Sequence, residues 1–336
     1  MKTLPLLAAV LLATALPAGA GEGLLLVGNK SAASIHALDL GDGSLRARIP
    51  TGEGPHEIEV APDGRHVVVA DYGAGTAGHT LTVIDWPSRR TRTIDLGENR
   101  RPHGLRFLPD GRRLVVTTEG SGRLTEVDVV DGKVLRSIAV GDGKPHMVAL
   151  APDGRRAYVT QVGSGLLSVV DLDEGRRIAD IPTGAGAEGI AITPDGTELW
   201  VTNRDADSVS VVDARTLAVA ATVPSAAFPI RAAMTPDARH VLVVNARSAT
   251  LAVFDRRARR QVASVALATP GATYRPSMLG DTALPIGVRV APDGRYAYVA
   301  ISGGDTVAVI ETTGWTVTTR WPTGREPDAL AIVAAR

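Results

Sequence analysis

A chain of 336 residues with 36 basic and 36 acidic side chains, 44% hydrophobic residues, 36 glycines, 21 prolines and no cysteine is too apolar and too evenly charged to be disordered, and is long enough for two ordinary domains or one large all-β domain. The balanced charge argues against nucleic acid as a partner, because phosphate binding is driven by an excess of Lys and Arg. The absence of Cys excludes disulfides, thiolate metal sites, Cys nucleophiles and a lipidated N-terminal Cys.

The N-terminus reads as an address. Lys2 precedes an apolar run from Leu4 to Leu16, and Ala18-Gly19-Ala20 fits a small-residue cleavage site. A secretory leader is predicted over residues 1–20, with a mature chain of 21–336 that is periplasmic or secreted. No later stretch approaches the length of a membrane span, so no span is expected.

From there the chain repeats itself. Ala61-Pro62-Asp63-Gly64-Arg65 recurs as Leu108-Pro109-Asp110-Gly111-Arg112, Ala151-Pro152-Asp153-Gly154-Arg155, Thr193-Pro194-Asp195-Gly196-Thr197, Thr235-Pro236-Asp237-Ala238-Arg239 and Ala291-Pro292-Asp293-Gly294-Arg295. The spacings run from roughly 42 to 56 residues, the period of a propeller blade. Each motif lies between two strands of alternating apolar residues, and Asp-Gly between such strands predicts a hairpin, since Gly supplies the positive φ the turn needs. A third strand ends in Asp (Val83-Ile84-Asp85, Val169-Val170-Asp171, Val211-Val212-Asp213, Val253-Phe254-Asp255), and a fourth leads to a Gly/Pro corner such as Ile181-Pro182-Thr183-Gly184. The seventh unit is split: Pro327 to Val333 reads as a first strand, and Leu24 to Asn29 with Ile35 to Asp39 as the second and third. The prediction is all-β: a seven-bladed β-propeller with four antiparallel strands per blade, closed by pairing the N- and C-terminal segments in one blade, which removes exposed sheet edges.

Tyr158-Val159-Thr160-Gln161, Trp200-Val201-Thr202-Asn203 and Tyr298-Val299-Ala300, with the companion Val83-Ile84-Asp85, resemble the YVTN-type β-propeller repeat family over essentially the whole mature chain. The resemblance implies the fold. It leaves the activity open, because propellers of this shape include exported bacterial proteins of unassigned role, lactonases acting on sugar lactones, and the propeller domain of nitrous-oxide reductase.

Six residues before each repeat proline stand His56, His103, His146, Glu188, Ile230 and Ile286, with Asp328 as the equivalent in the split blade. Around a closed ring, Asp328, His56, His103, His146 and Glu188 form a contiguous arc at the channel mouth. Neutral imidazoles with carboxylates are a ligand set for Zn, Cu, Ni or Fe, so these five are candidate metal ligands, with Glu188 and Asp328 as candidate catalytic bases. Arg231, Arg204, Glu119 and His79 are candidate ligand-binding residues on neighbouring loops. Glu59 and Arg106 hold one repeat position in adjacent blades and are expected to pair. A longer insertion from Ala268 to Leu284, with Tyr274, Arg275, Met278 and Asp281, is expected as a lid or partner contact.

There is no Gly-x-Ser-x-Gly elbow, His-Glu-x-x-His pair, phosphate loop or dinucleotide fingerprint. Two functions follow. The first is an exported monomer that binds a small ligand, a metal ion or a partner protein at a His/acid-lined mouth. The second is a metal-assisted hydrolase or lactonase at the same place.

Overall fold

The computed structural model describes residues 23–86, 88–275 and 280–334. The predicted leader, residues 1–20, and Met278 of the insertion lie outside these. Among the described residues, twenty-eight strands form seven four-stranded antiparallel sheets. Blades 1 to 6 each run in chain order from the channel outwards, with inner strands at Pro55–Val60, Pro102–Phe107, Pro145–Leu150, Ala187–Ile192, Pro229–Met234 and Pro285–Val290. Blade 7 takes its inner strand, Pro327–Ala334, from the C-terminus and its other three, beginning with Gly23–Asn29, from the N-terminus. Leu24 pairs with Val333 and Val27 with Leu330, so the chain ends share one sheet and each inner strand packs beside the next around a closed ring.

The Pro-Asp-Gly hairpins form as their chemistry requires. In blade 1 the Gly64 N–H donates to the Ala61 carbonyl at 2.8 Å, the Asp63 carboxylate accepts the Arg65 N–H at 2.8 Å, and Gly64 takes φ +64°.

The core is a set of slabs between blades. One joins blades 4 and 5 through Trp200, Val211, Val243 and Phe254; another joins blades 7 and 1 through Leu26, Ile35, Ile58 and Val69. Alternation along each strand supplies both faces, because side chains at i and i+2 point to one neighbour and the intervening ones to the other. The expected Glu59–Arg106 pair is present at 3.1 Å across the blade 1–2 interface. Among the described residues no helix is long and apolar enough to cross a membrane.

Candidate functional site

Every inner strand carries an irregularity at the same place, and it builds the site. In blade 2, Pro102 pairs with Thr118 and Leu105 with Val116, so His103 and Gly104 together face only Thr117. The same two-against-one bulge sets His146 and Met147 against Thr160, and Glu188 and Gly189 against Thr202. A bulge re-aims a side chain and leaves a backbone donor without its ladder partner. Here threonine takes that donor. Thr117 Oγ1 accepts the Gly104 N–H at 2.8 Å and donates to the His146 carbonyl of the next blade at 2.5 Å. Thr160 Oγ1 accepts the Met147 N–H at 3.0 Å and donates to the Glu188 carbonyl at 2.6 Å. Each hydroxyl thus fastens a mouth residue to the blade beside it.

The bulges turn the predicted arc into a packed cluster. The His103 and His146 rings lie 3.7 Å apart centre to centre, and His56 and His103 4.7 Å apart. Tyr72 stacks on His56 at 4.4 Å and donates to Glu119 at 3.0 Å. His56 Nε2 is 3.9 Å from Asp328, which also pairs with Lys30 at 3.2 Å. His146 Nε2 is 3.7 Å from Glu188, which is held by Arg204 at 2.7 Å and Arg231 at 3.3 Å. These groups line one side of a cavity of about 380 Å³. Ile230, Ile286 and Leu284 line the other, backed by Phe228. The mouth is therefore polar on one arc and apolar on the opposite one.

Burial sets the protonation states. It pushes the His56 imidazole down to about 3, with Lys30 adding to the effect. Burial and the neighbouring imidazoles hold His103 well below the usual range, and burial with Arg231 does the same for His146. The rings are neutral at physiological pH. Burial raises the Glu188 and Glu57 carboxyls against the pull of Arg231. Asp328 goes the other way: burial acts to raise it, but Lys30, His56 and Arg231 outweigh that and hold it below the usual carboxylate range. Burial and Glu119 push the Tyr72 phenol up to about 12.

Below the arc the channel is closed. Arg231 of blade 5 reaches across to Glu57 of blade 1 at 2.8 Å, both side chains almost wholly buried. Only a void of about 20 Å³ remains at that level. Glu57, Tyr72, Lys30 and Lys144 escaped the sequence reading. Glu57 and Arg231 carried a signal, since they are the only ionisable residues at the repeat position directly after the arc, and Tyr72 and Lys30 carried another, since they stand just after a second strand, where Glu119 and Arg204 also stand.

Arg231, Arg204 and Glu119 line the mouth as expected. His79 does not: it stands before the third strand of blade 1, away from the channel, and pairs with Asp95 on the outer strand at 2.8 Å. Leu284, the last residue of the insertion, lines the mouth, whereas Arg275 pairs with Asp305 and borders a cleft that adjoins the mouth, the two sharing Leu284, Ser302 and Glu326. Six buried atoms around the cavity have no hydrogen-bond partner among the described residues: His56 Nδ1, both nitrogens of His103, His146 Nδ1, Arg204 Nε and Asp328 Oδ1. The donor set suits a transition metal, but among the described residues no three His, Asp or Glu side chains converge as a metal cage. With the His103 and His146 rings in contact, they would have to swing apart to share a cation.

Comparison with known proteins agrees with this architecture. Among solved structures, a chain from Kuenenia stuttgartiensis hydrazine synthase superposes with a TM-score of 0.72 at 19% identity, covering 84% of this chain and 96% of that one. A functionally unknown protein from Desulfotomaculum acetoxidans gives 0.77 at 15% identity, covering 94% and 100%. The dihydro-heme d1 dehydrogenase NirN, in complex with DHE, gives 0.67 at 16% identity, covering 95% and 78%. At these identities the likeness concerns the fold alone. No curated protein matches the chain significantly. The family described as lactonase, 7-bladed beta-propeller matches residues 27–268, and the chain belongs to that family.

Proposed function

We propose that this is an exported propeller, of the YVTN-type branch, that binds a small oxygen-rich molecule in its two-faced mouth. The observation that carries this reading is the set of six unpartnered polar atoms, because buried donors and acceptors are normally satisfied and each one left open costs about 1–3 kcal/mol. A ligand with hydroxyl or carbonyl oxygens along one edge supplies the missing partners, while its carbon skeleton packs on Ile230 and Ile286. Sugar lactones and sugar acids have this character. The periplasmic or secreted location rests on the leader pattern of residues 1–20, and a monomer rests on the closed ring. Calorimetric titration with a panel of sugar lactones and sugar acids tests the reading. Saturable binding that His103→Phe abolishes is the expected result, and no binding by any member rules it out.

Membership of a lactonase family favours a second reading, hydrolysis at the same mouth. Asp328, kept ionised by Lys30, is the better placed base: it would take a proton from water as the water oxygen adds to the lactone carbonyl. Arg204, already at the cavity wall, would stabilise the oxyanion before the ring C–O bond breaks and the leaving oxygen is protonated. Glu188 is tied to two arginines and serves better as a positioning residue. Lactone hydrolysis lost in Asp328→Asn but retained in Glu188→Gln would support this assignment. His56, His103 and His146 could hold a Zn, Cu, Ni or Fe ion only if the His103 and His146 rings separated, and the ion would then supply Lewis-acid polarisation of the carbonyl. Metal analysis of untagged protein after loading, against a His56/His103/His146 triple alanine variant, tests for it.

A further inference from the structure

The closed channel leaves a second chamber at its far end. The repeat position three residues before each repeat proline points there. It holds Glu59, Arg106 and Arg289 in blades 1, 2 and 6, and alanine at Ala149, Ala191, Ala233 and Ala331 in the others. A cavity of about 380 Å³ opens beside the three charged residues, and Val60, Val290, Ala331 and Ile332 supply its apolar wall. The Arg231–Glu57 bridge and its void of about 20 Å³ separate this chamber from the histidine mouth.

The charges in the chamber do not balance. Arg106 is paired with Glu59 at 3.1 Å. Arg289 has no hydrogen-bonded or ion-paired partner among the described residues, and Glu59 and Glu57 act on it only at longer range. Burial, then Arg106, lowers its guanidinium from the usual range, which marks a cation short of a counter-charge. A guanidinium presents a planar fork of donors that matches a carboxylate.

From this placement we propose that the far end of the channel is a binding site for a small amphipathic carboxylate, with the carboxylate on Arg289 and the apolar body against Val60, Val290 and Ile332. The apolar wall selects a carboxylate with a hydrocarbon body over inorganic phosphate, which would leave that wall uncovered. The site is independent of whatever the histidine mouth binds.

Benzoate is a suitable probe, with benzyl alcohol as its uncharged counterpart and inorganic phosphate as the oxyanion without an apolar body. Titration of the full chain should give saturable benzoate binding at or below about 10 mM, weakened by added salt, with no binding of benzyl alcohol and weaker binding of phosphate. Arg289→Met should weaken benzoate roughly tenfold or more, the loss expected for a charged hydrogen-bonding partner, Arg289→Lys should weaken it less, and His103→Phe should leave it intact. Loss in His103→Phe with retention in Arg289→Met would move the ligand to the other mouth and overturn the proposal. Equal binding of benzyl alcohol, or no saturable benzoate binding by the unmodified protein, would overturn it without reference to any variant.

Discussion

Arg231 and Glu57, separated by 174 positions in the chain, meet at 2.8 Å across the central channel and divide it in two. They come from blades 5 and 1, and Arg231 holds Glu188 of blade 4 as well. Ring closure and the inner-strand bulges together place a buried cation between two buried carboxylates.

Removing one partner of such a pair strands the other in a poor dielectric. Arg231→Met is therefore expected to cost about 3–5 kcal/mol, and Glu57→Gln less, because Glu188 still partners Arg231. The double variant should lose less than the sum of the two. Urea denaturation of the four proteins in a double-mutant cycle measures this, and strict additivity would mean that the two residues do not interact.

The buried imidazoles make stability fall on the acid side. In the unfolded chain a histidine takes up its proton near 6.5, whereas in the fold His56 does so only at about 3, and His103 and His146 are also held low by burial. Between those limits the unfolded state binds more protons, so stability is fully present above about pH 6.5 and drains away as pH falls below it. Melting temperature followed from pH 7.5 down to 5 should drop, and His103→Phe should flatten the slope. An unchanged slope in that variant would show that the ring is exposed to water.

The threonine clips predict a purely local cost. Thr160→Val keeps the shape of the side chain but removes the acceptor for the Met147 N–H and the donor to the Glu188 carbonyl. Leaving those buried groups unpaired should cost about 1–3 kcal/mol. Glu188 should also lose its fixed position, so ligand affinity at the mouth should fall in the same variant. Chemical denaturation and titration on one preparation check both.

Much of this architecture is legible in the sequence. The blade count and the closure follow from a motif that recurs at fixed offsets, and the His/acid arc follows because one offset from the repeat proline selects one ring position in every blade. That Arg231 and Glu57 share one ring position is legible, but their pairing across the axis is not, since a bulge decides which residues reach the axis and strand alternation alone gives the wrong side. Tyr72 holds the position just after the second strand that Glu119 and Arg204 hold in blades 2 and 4, but its part in the mouth comes from stacking on His56, which no sequence offset shows. His79 stands at the far end of the loop that Tyr72 begins, beside the third strand and paired with Asp95 of the outer strand, so proximity in sequence to a mouth residue does not bring it to the axis.

Asp71 offers a test in the opposite pH direction. It ends the second strand of blade 1, where blades 4, 5 and 7 carry Asn203, Asn245 and Asn29. Burial raises its carboxyl to about 6, although Thr80 and Thr82 hydroxyls donate to it. The folded state holds that proton where the unfolded state has lost it, so stability declines as pH rises from about 4 to about 6. Asp71→Asn should stabilise the protein at pH 7 by about 1–2 kcal/mol, and by little at pH 3.5. Asn203 shows that the amide fits, since it donates to Ser210 at 3.0 Å from the matching position. A variant equally stabilised at both pH values would mean that the carboxyl is not shifted.

The fifth hairpin breaks the turn rule that the others keep. Gly64, Gly111, Gly154, Gly196 and Gly294 all sit at φ between +64° and +74°, and Ala238 at the same turn position is driven to φ +52°. A left-handed alanine costs about 1–2 kcal/mol through the clash of its Cβ with the following carbonyl. Glycine relieves that clash and gives back part of the gain through the larger freedom of the unfolded chain. Ala238→Gly should therefore raise stability by about 0.5–1 kcal/mol, seen as a higher urea midpoint with an unchanged slope. The Ala238 N–H already donates to the Thr235 carbonyl at 2.8 Å, so the hydrogen bonding of the turn stays the same and the difference isolates the backbone strain. A lower midpoint would mean that the strain is absent and that the methyl group contributes packing there.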